Sequence, residues 1–220
     1  DRFYQNIDPI GAIEDLIKVS EPEKNEKTIF VWPEGILPGI SQEKLIDYKW
    51  LFEKNFNENH LLVIGINSKS TEKGEIKYFN SLSVYDHNLN LLNSYNKINL
   101  VPFGEFLPLE NILKNIGLKT LTNDYQSYSK GSERNIIKIK ENNSYLKFLP
   151  LICYEIIYSG SIFNNPDFDF IINISEDGWF GQSAGPKQHF IHSIYRAIES
   201  GKYAVSYTHL RAHETVLDLV

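Results

Sequence analysis

Short apolar runs alternate with amphipathic stretches along this chain, and the two patterns predict different elements. The segment 8–19 reads as a helix: Asp8 can cap it, Pro9 suits its first turn, and Ile10, Ile13, Leu16 and Ile17 form one apolar stripe. The run TIFVW at 28–32 reads as a buried strand stopped by Pro33. Ser41 can cap a second helix reaching Phe56, with Leu45, Tyr48, Phe52 and Phe56 on one side. Further strands are predicted over 61–67, 78–85, 91–95, 146–152 and 168–174, with a turn at 86–90 joining two of them. A last helix opens at Pro186, turns Phe190, Ile191, Ile194 and Ile198 inward, and stops at Gly201. Interleaved helices and fully apolar strands argue for an α/β layered domain with helices covering the sheet. The polar, irregular stretch 107–130 reads as a surface excursion, a candidate lid.

Composition narrows this picture without changing it. The chain has 220 residues, 42% hydrophobic and 23% charged, which excludes a disordered tail or coiled coil and suffices for one large domain. A net charge of −6 argues against a partner held by phosphate contacts alone, so no nucleic acid is expected. No run of 18 apolar residues occurs, and no signal peptide opens the chain. There is no Met, which reads as a piece of a longer protein. The single Cys excludes an internal disulfide and a zinc site built on cysteines.

That Cys is one of three reactive side chains at strand ends. Glu34 follows the TIFVW strand, Lys97 follows the strand at 91–95, and Cys153 ends the strand at 146–152. Active sites of α/β sheets collect at strand ends on one rim, so these three can converge. Taken singly, each is better explained as a turn residue, a surface lysine or a small core residue. Taken together, an acid, an ammonium and a thiol form a set for acyl transfer. A carboxylate can take the thiol proton, while an ammonium and the Tyr154 backbone N–H can stabilise the oxyanion. No histidine is required. His60 and His87 lie in polar turns and are expected to face solvent, and His189 and His192 read as structural.

The local strings add a resemblance. VWPEG (31–35), YNKINLVPFGEFLP (95–108), LICYE (151–155) and NISEDGWFGQSAGPKQH (173–189) occur in that order. They resemble the nitrilase, or carbon–nitrogen hydrolase, superfamily with its Glu–Lys–Cys triad, and within it the apolipoprotein N-acyltransferase family. The resemblance implies an α-β-β-α sandwich over 1–205, here without flanking membrane helices and outer strands. It makes Glu34 the general base, Lys97 the oxyanion and thiolate stabiliser and Cys153 the nucleophile. Glu105, Tyr154 and Glu155 match supporting positions, and Arg196 and Glu199 match structural ones. No cofactor or metal is implied. The implied reaction moves an acyl chain from a phospholipid, through a thioester, to the α-amino group of the diacylglyceryl-cysteine of an apolipoprotein. A monomer at the bacterial inner membrane, with its catalytic domain on the periplasmic side, is implied too. The alternative is a soluble amidase or nitrilase using the same triad. Phe103, Phe106, Trp179 and Phe180 are candidates to line an acyl pocket. The end of the chain, 206–220, departs from the family, reads as a non-native tail and is expected to carry no function, His209 and His213 included.

Overall fold

The computed structural model describes residues 8–72, 74–108, 127–141, 143–160 and 167–208. Helix α1 (Pro9–Ser20) is capped by Asp8, whose carboxylate accepts from the N–H groups of Ile10 and Gly11. Ile13 and Ile17 are buried, whereas Ile10 faces solvent. Strand β1 (Thr28–Trp32) follows as predicted. The helix expected from Ser41 starts later: Ser41 bridges to Asn67, and the Gln42 N–H bonds the Asn67 carbonyl. That pairing holds Ser41 against β2, and 42–44 follow as a turn in which the Ser41 carbonyl accepts from the Lys44 and Leu45 N–H groups. A 3₁₀ turn (Leu45–Tyr48) then leads into α2 (Lys49–Asn55).

β2 (His60–Glu72) and β3 (Glu75–Asp86) form a long antiparallel hairpin, and β4 (Leu91–Asn96) adds to β3. With β1 parallel to β2, the first sheet runs β1-β2-β3-β4. The second contains β5 (Ile137–Glu141), β6 (Ser144–Ile152), β7 (Phe170–Ser175) and β8 (Tyr203–Thr208), in that order. Its last three strands are parallel. Helix α3 (Gly185–Ser200) links β7 to β8. β5 and β8 were not among the predicted strands. β5 reads IKIKE, a short two-sided pattern that only pairing with β6 makes a strand. β8 carries Ser206, Tyr207 and Thr208 into register with Asn173, Ile174 and Ser175. Residues 209–220, like 109–126 of the candidate lid, lie outside the described residues.

Three hydrophobic clusters stack the layers. Phe30, Trp32, Leu62 and Ile64 meet α1 and α2 on one side of the first sheet. Val63, Leu82, Val84 and Tyr95 meet Phe148, Ile152, Ile172 and Ile174 between the two sheets. Leu149, Leu151 and Ile171 pack with Ile156 on the far side of the second. The result is the expected α-β-β-α sandwich. The segments covered on both faces, 62–66 of β2 and 148–152 of β6, are the ones that read as apolar runs, whereas the outer strands β4 and β5 do not.

Two expectations fail on burial. Phe190, Ile191, Ile194 and Ile198 of α3 are exposed, the last by 72%, while His189, Ser193 and Arg196 face inward. The helix is rotated by polar anchors at its start, described below, which outweigh its apolar stripe. His60 is buried, not solvent-facing: one ring nitrogen accepts from the Asn57 N–H at 3.1 Å and the other donates to the Glu23 carbonyl at 3.0 Å. A buried polar ring is tolerated where both nitrogens are bonded.

Candidate active site

Glu34, Lys97 and Cys153 each leave the end of a strand, and the sandwich gathers them in one buried cluster. β1 ends at Trp32, so Glu34 lies just past the strand end. Its backbone runs so close to β2 that a Cβ on Gly65 would lie 2.6 Å from the Pro33 carbonyl oxygen and 2.7 Å from the Glu34 nitrogen. Only glycine permits that approach. Lys97 follows β4, with its N–H on the Asn80 carbonyl at 2.9 Å. It is only 1% exposed.

Two carboxylates neutralise that buried ammonium. Lys97 Nζ donates to Glu105 Oε1 at 2.9 Å and to Glu34 Oε1 at 3.4 Å. Asn80 Nδ2 spans the same oxygens, at 2.5 Å to Glu34 and 2.8 Å to Glu105. The second Glu34 oxygen accepts from the Glu176 N–H at 3.1 Å, and the second Glu105 oxygen accepts from the Val101 N–H at 2.8 Å. Burial opposes the Lys97 charge, but Glu34, Cys153 and Glu105 around it hold its pKa above the ordinary lysine value. It is an ammonium at any working pH.

Cys153 opens a 3₁₀ turn (Cys153–Ile157) directly after β6. Its φ of 53° lies in the left-handed region, a strain on the order of 1–3 kcal/mol for a residue with a Cβ. Burial pushes its thiol pKa up to about 12, with Glu34 acting in the same direction. Lys97, the Ser175 hydroxyl and the Tyr154 N–H pull the other way. The resting sulfur is therefore a neutral thiol, and any attack by it would need a base. Glu34 is the carboxylate whose charge it feels.

The supporting positions separate into different jobs. Glu105 touches Lys97 and belongs to the cluster itself. Glu155 is completely buried and ties the two halves of the site together. One of its oxygens accepts from the Ile98 and Asn99 N–H groups, just after Lys97, and from Arg134 at 2.9 Å. The other accepts from the Ile152 N–H, just before Cys153, at 3.0 Å, and the Tyr95 hydroxyl donates to both. Glu155→Gln would set an amide N–H₂ against these donors. It is expected to cost about 3–5 kcal/mol of stability, read from the denaturant midpoint. A midpoint unchanged from wild type would contradict this role. The Tyr154 ring packs beside Phe180 at 5.7 Å and His189 at 6.0 Å. Among the acyl-pocket candidates, Phe103 is 72% exposed with a φ of 62°, and Phe106 and Phe180 are half-buried. The Trp179 side chain lies outside what is described. Arg196 is buried and pairs with Glu199 at 2.8 Å, and Glu199 also accepts from the Gly160 N–H.

Sequence reading missed Asn80, Arg134, Ser175 and Asp177, and took His189 for structural only. Asn80 had a signal, as a polar residue inside a predicted strand, and Ser175 a weaker one, at the end of the apolar run of β7. Arg134 had none, since its partners Tyr95, Asn99 and Glu155 are 21 to 39 positions away.

Comparison with known proteins gives a consistent picture. The profile of the family described as carbon-nitrogen hydrolase matches residues 13–220. A Brucella suis biovar 1 (strain 1330) protein named apolipoprotein N-acyltransferase is 31% identical over 195 residues, covering 87% of this chain and 35% of that protein. A Rickettsia prowazekii (strain Madrid E) protein of the same name is 35% identical over 188 residues, covering 84% and 37%. The chain thus spans about a third of the length of these curated relatives. A CN-hydrolase superfamily protein from Xanthomonas campestris, solved with an arsenic adduct in its active site, superposes with a TM-score of 0.57. It is 17% identical and is covered over 70% of its length by 91% of this chain, a likeness of fold.

Proposed function

The chain belongs to the carbon–nitrogen hydrolase family, and we propose that within it Glu34, Lys97 and Cys153 carry out N-acyl transfer through a thioester. The observation that carries this reading is the meeting of the Glu34 carboxylate and the Lys97 ammonium with the chain's sole thiol. In the first half-reaction the Cys153 sulfur attacks the ester carbonyl of a phospholipid as Glu34 takes the thiol proton. Lys97 and the Tyr154 N–H stabilise the oxyanion. The tetrahedral adduct collapses, Glu34 returns the proton to the departing alkoxide, and a lysophospholipid leaves. In the second half-reaction the neutral α-amino group of a diacylglyceryl-cysteine attacks the thioester. Glu34 accepts its proton, the C–S bond breaks, and the sulfur is reprotonated. Bacterial relatives named apolipoprotein N-acyltransferase support the apolipoprotein acceptor; the phospholipid donor and an inner-membrane setting with the catalytic domain on the periplasmic side are part of the proposal. No helix among the described residues is long and apolar enough to cross a membrane.

The test is intact mass spectrometry of the whole protein with phosphatidylethanolamine vesicles. One acyl group is expected on Cys153, discharged on adding a diacylglyceryl-cysteine peptide. Absence of the adduct together with release of ammonia from simple amides would replace this reading with that of an amidase.

A further inference from the structure

Helix α3 delivers a buried side chain to the peptide of the nucleophile itself. His189 Nε2 lies 2.9 Å from the Cys153 carbonyl oxygen, and Nδ1 lies 2.8 Å from Asp177 Oδ1. A carbonyl and a carboxylate can only accept, so both ring nitrogens donate and His189 is an imidazolium. Burial disfavours that charge, but the Asp177 carboxylate, the Cys153 carbonyl and the more distant Glu34 together raise the His189 pKa above its ordinary value. The Ser175 hydroxyl donates to the same Asp177 oxygen at 2.7 Å. The rings of Tyr154 and Phe180 flank the imidazolium at 6.0 and 6.3 Å, and their faces favour a cation.

This bond lands where the backbone is strained, at a cysteine with positive φ. The peptide between Cys153 and Tyr154 is planar and trans, so its C=O and N–H point in opposite directions. Whatever holds the carbonyl therefore aims the N–H. That N–H is among the groups that favour the Cys153 thiolate. We propose that His189, braced by Asp177 and Ser175, is a positioning residue that anchors the Cys153 carbonyl so that the Tyr154 N–H is presented as an oxyanion donor. The inference rests on acyl transfer at Cys153 and assigns the residue that aligns its backbone donor.

An oxyanion donor matters for attack on a carbonyl and not for displacement of iodide from a saturated carbon, which separates alignment from general damage. The test compares the wild type, His189→Ala and His189→Gln in the whole protein. Acylation is read as the p-nitrophenolate burst from p-nitrophenyl acetate, and alkylation as the rate of iodoacetamide labelling of Cys153. Acylation is expected to fall about 10²-fold in the alanine variant, as for loss of one oxyanion donor. The glutamine variant, whose amide N–H reaches the place of Nε2, should recover about tenfold of that loss. Alkylation should fall by less than about tenfold, since it loses only the help that the N–H and the imidazolium give the thiolate, and no carbonyl oxyanion forms in it. Unchanged acylation, parallel loss of both reactions, or no recovery with glutamine would each overturn the proposal. A wild-type burst with the ester but no adduct from phosphatidylethanolamine vesicles overturns the lipid reading alone. No wild-type burst from either donor overturns both.

Discussion

Cys153→Ala in the whole protein is expected to abolish N-acylation of a diacylglyceryl-cysteine peptide, a loss on the order of 10⁴-fold or more. The reason lies in the division of labour at the site. Lys97 and the Tyr154 N–H can still polarise a carbonyl, but no atom remains to hold the acyl group between donor and acceptor. Cys153→Ser is expected to be nearly as inactive. A serine hydroxyl is far less acidic than a thiol, and the base beside it is a carboxylate rather than an imidazole. Folding should survive the alanine change, because deleting one buried sulfur costs about 1 kcal/mol. The check is product formation alongside the thermal midpoint. Half of the wild-type rate surviving in either variant would remove Cys153 from the reaction.

Glu34→Gln is expected to move two measurements in opposite directions. Acyl transfer should fall by about 10²–10⁴-fold, the usual contribution of a positioned general base. The Cys153 thiol should at the same time become more acidic. The sign follows from the charges in the cluster. Glu34 and Glu105 carry two negative charges and Lys97 one positive, so the resting site is negative before any thiolate forms. Burial is the first cause of the high thiol pKa and persists in the variant, but Glu34 is the next and is removed. A thiolate could then pair with the Lys97 ammonium alone. Iodoacetamide labelling followed against pH should show its alkaline rise at lower pH than in wild type, while turnover is lost. A rise that stays in place, or turnover that survives, would mean that Glu34 is neither the charge the thiol feels nor the base.

Much of this site was legible in the sequence because its three reactive groups are attached to features with local signatures. TIFVW and KFLPLI are largely apolar runs and LLNSY a mixed one after a turn, and a strand is recognised from its own few residues. Glu34, Lys97 and Cys153 sit where those runs stop. The layered α/β fold follows from the same runs, since strands with two apolar faces need cover on both. What stayed hidden involves partners distant in sequence. Nothing near Arg134 announces Glu155, nothing near Asn80 announces Glu34 46 positions earlier, and nothing near His189 announces the Cys153 carbonyl 36 positions earlier. The last helix makes the point most plainly. Its apolar stripe predicted one buried face, yet His189 and Arg196 turn inward and Ile198 outward. Hydrophobic periodicity selects where a segment forms, because apolar area is removed from water in proportion to its extent. Which polar groups are buried depends on whether a charged or hydrogen-bonding partner waits at the right distance, and only the assembled tertiary structure supplies one.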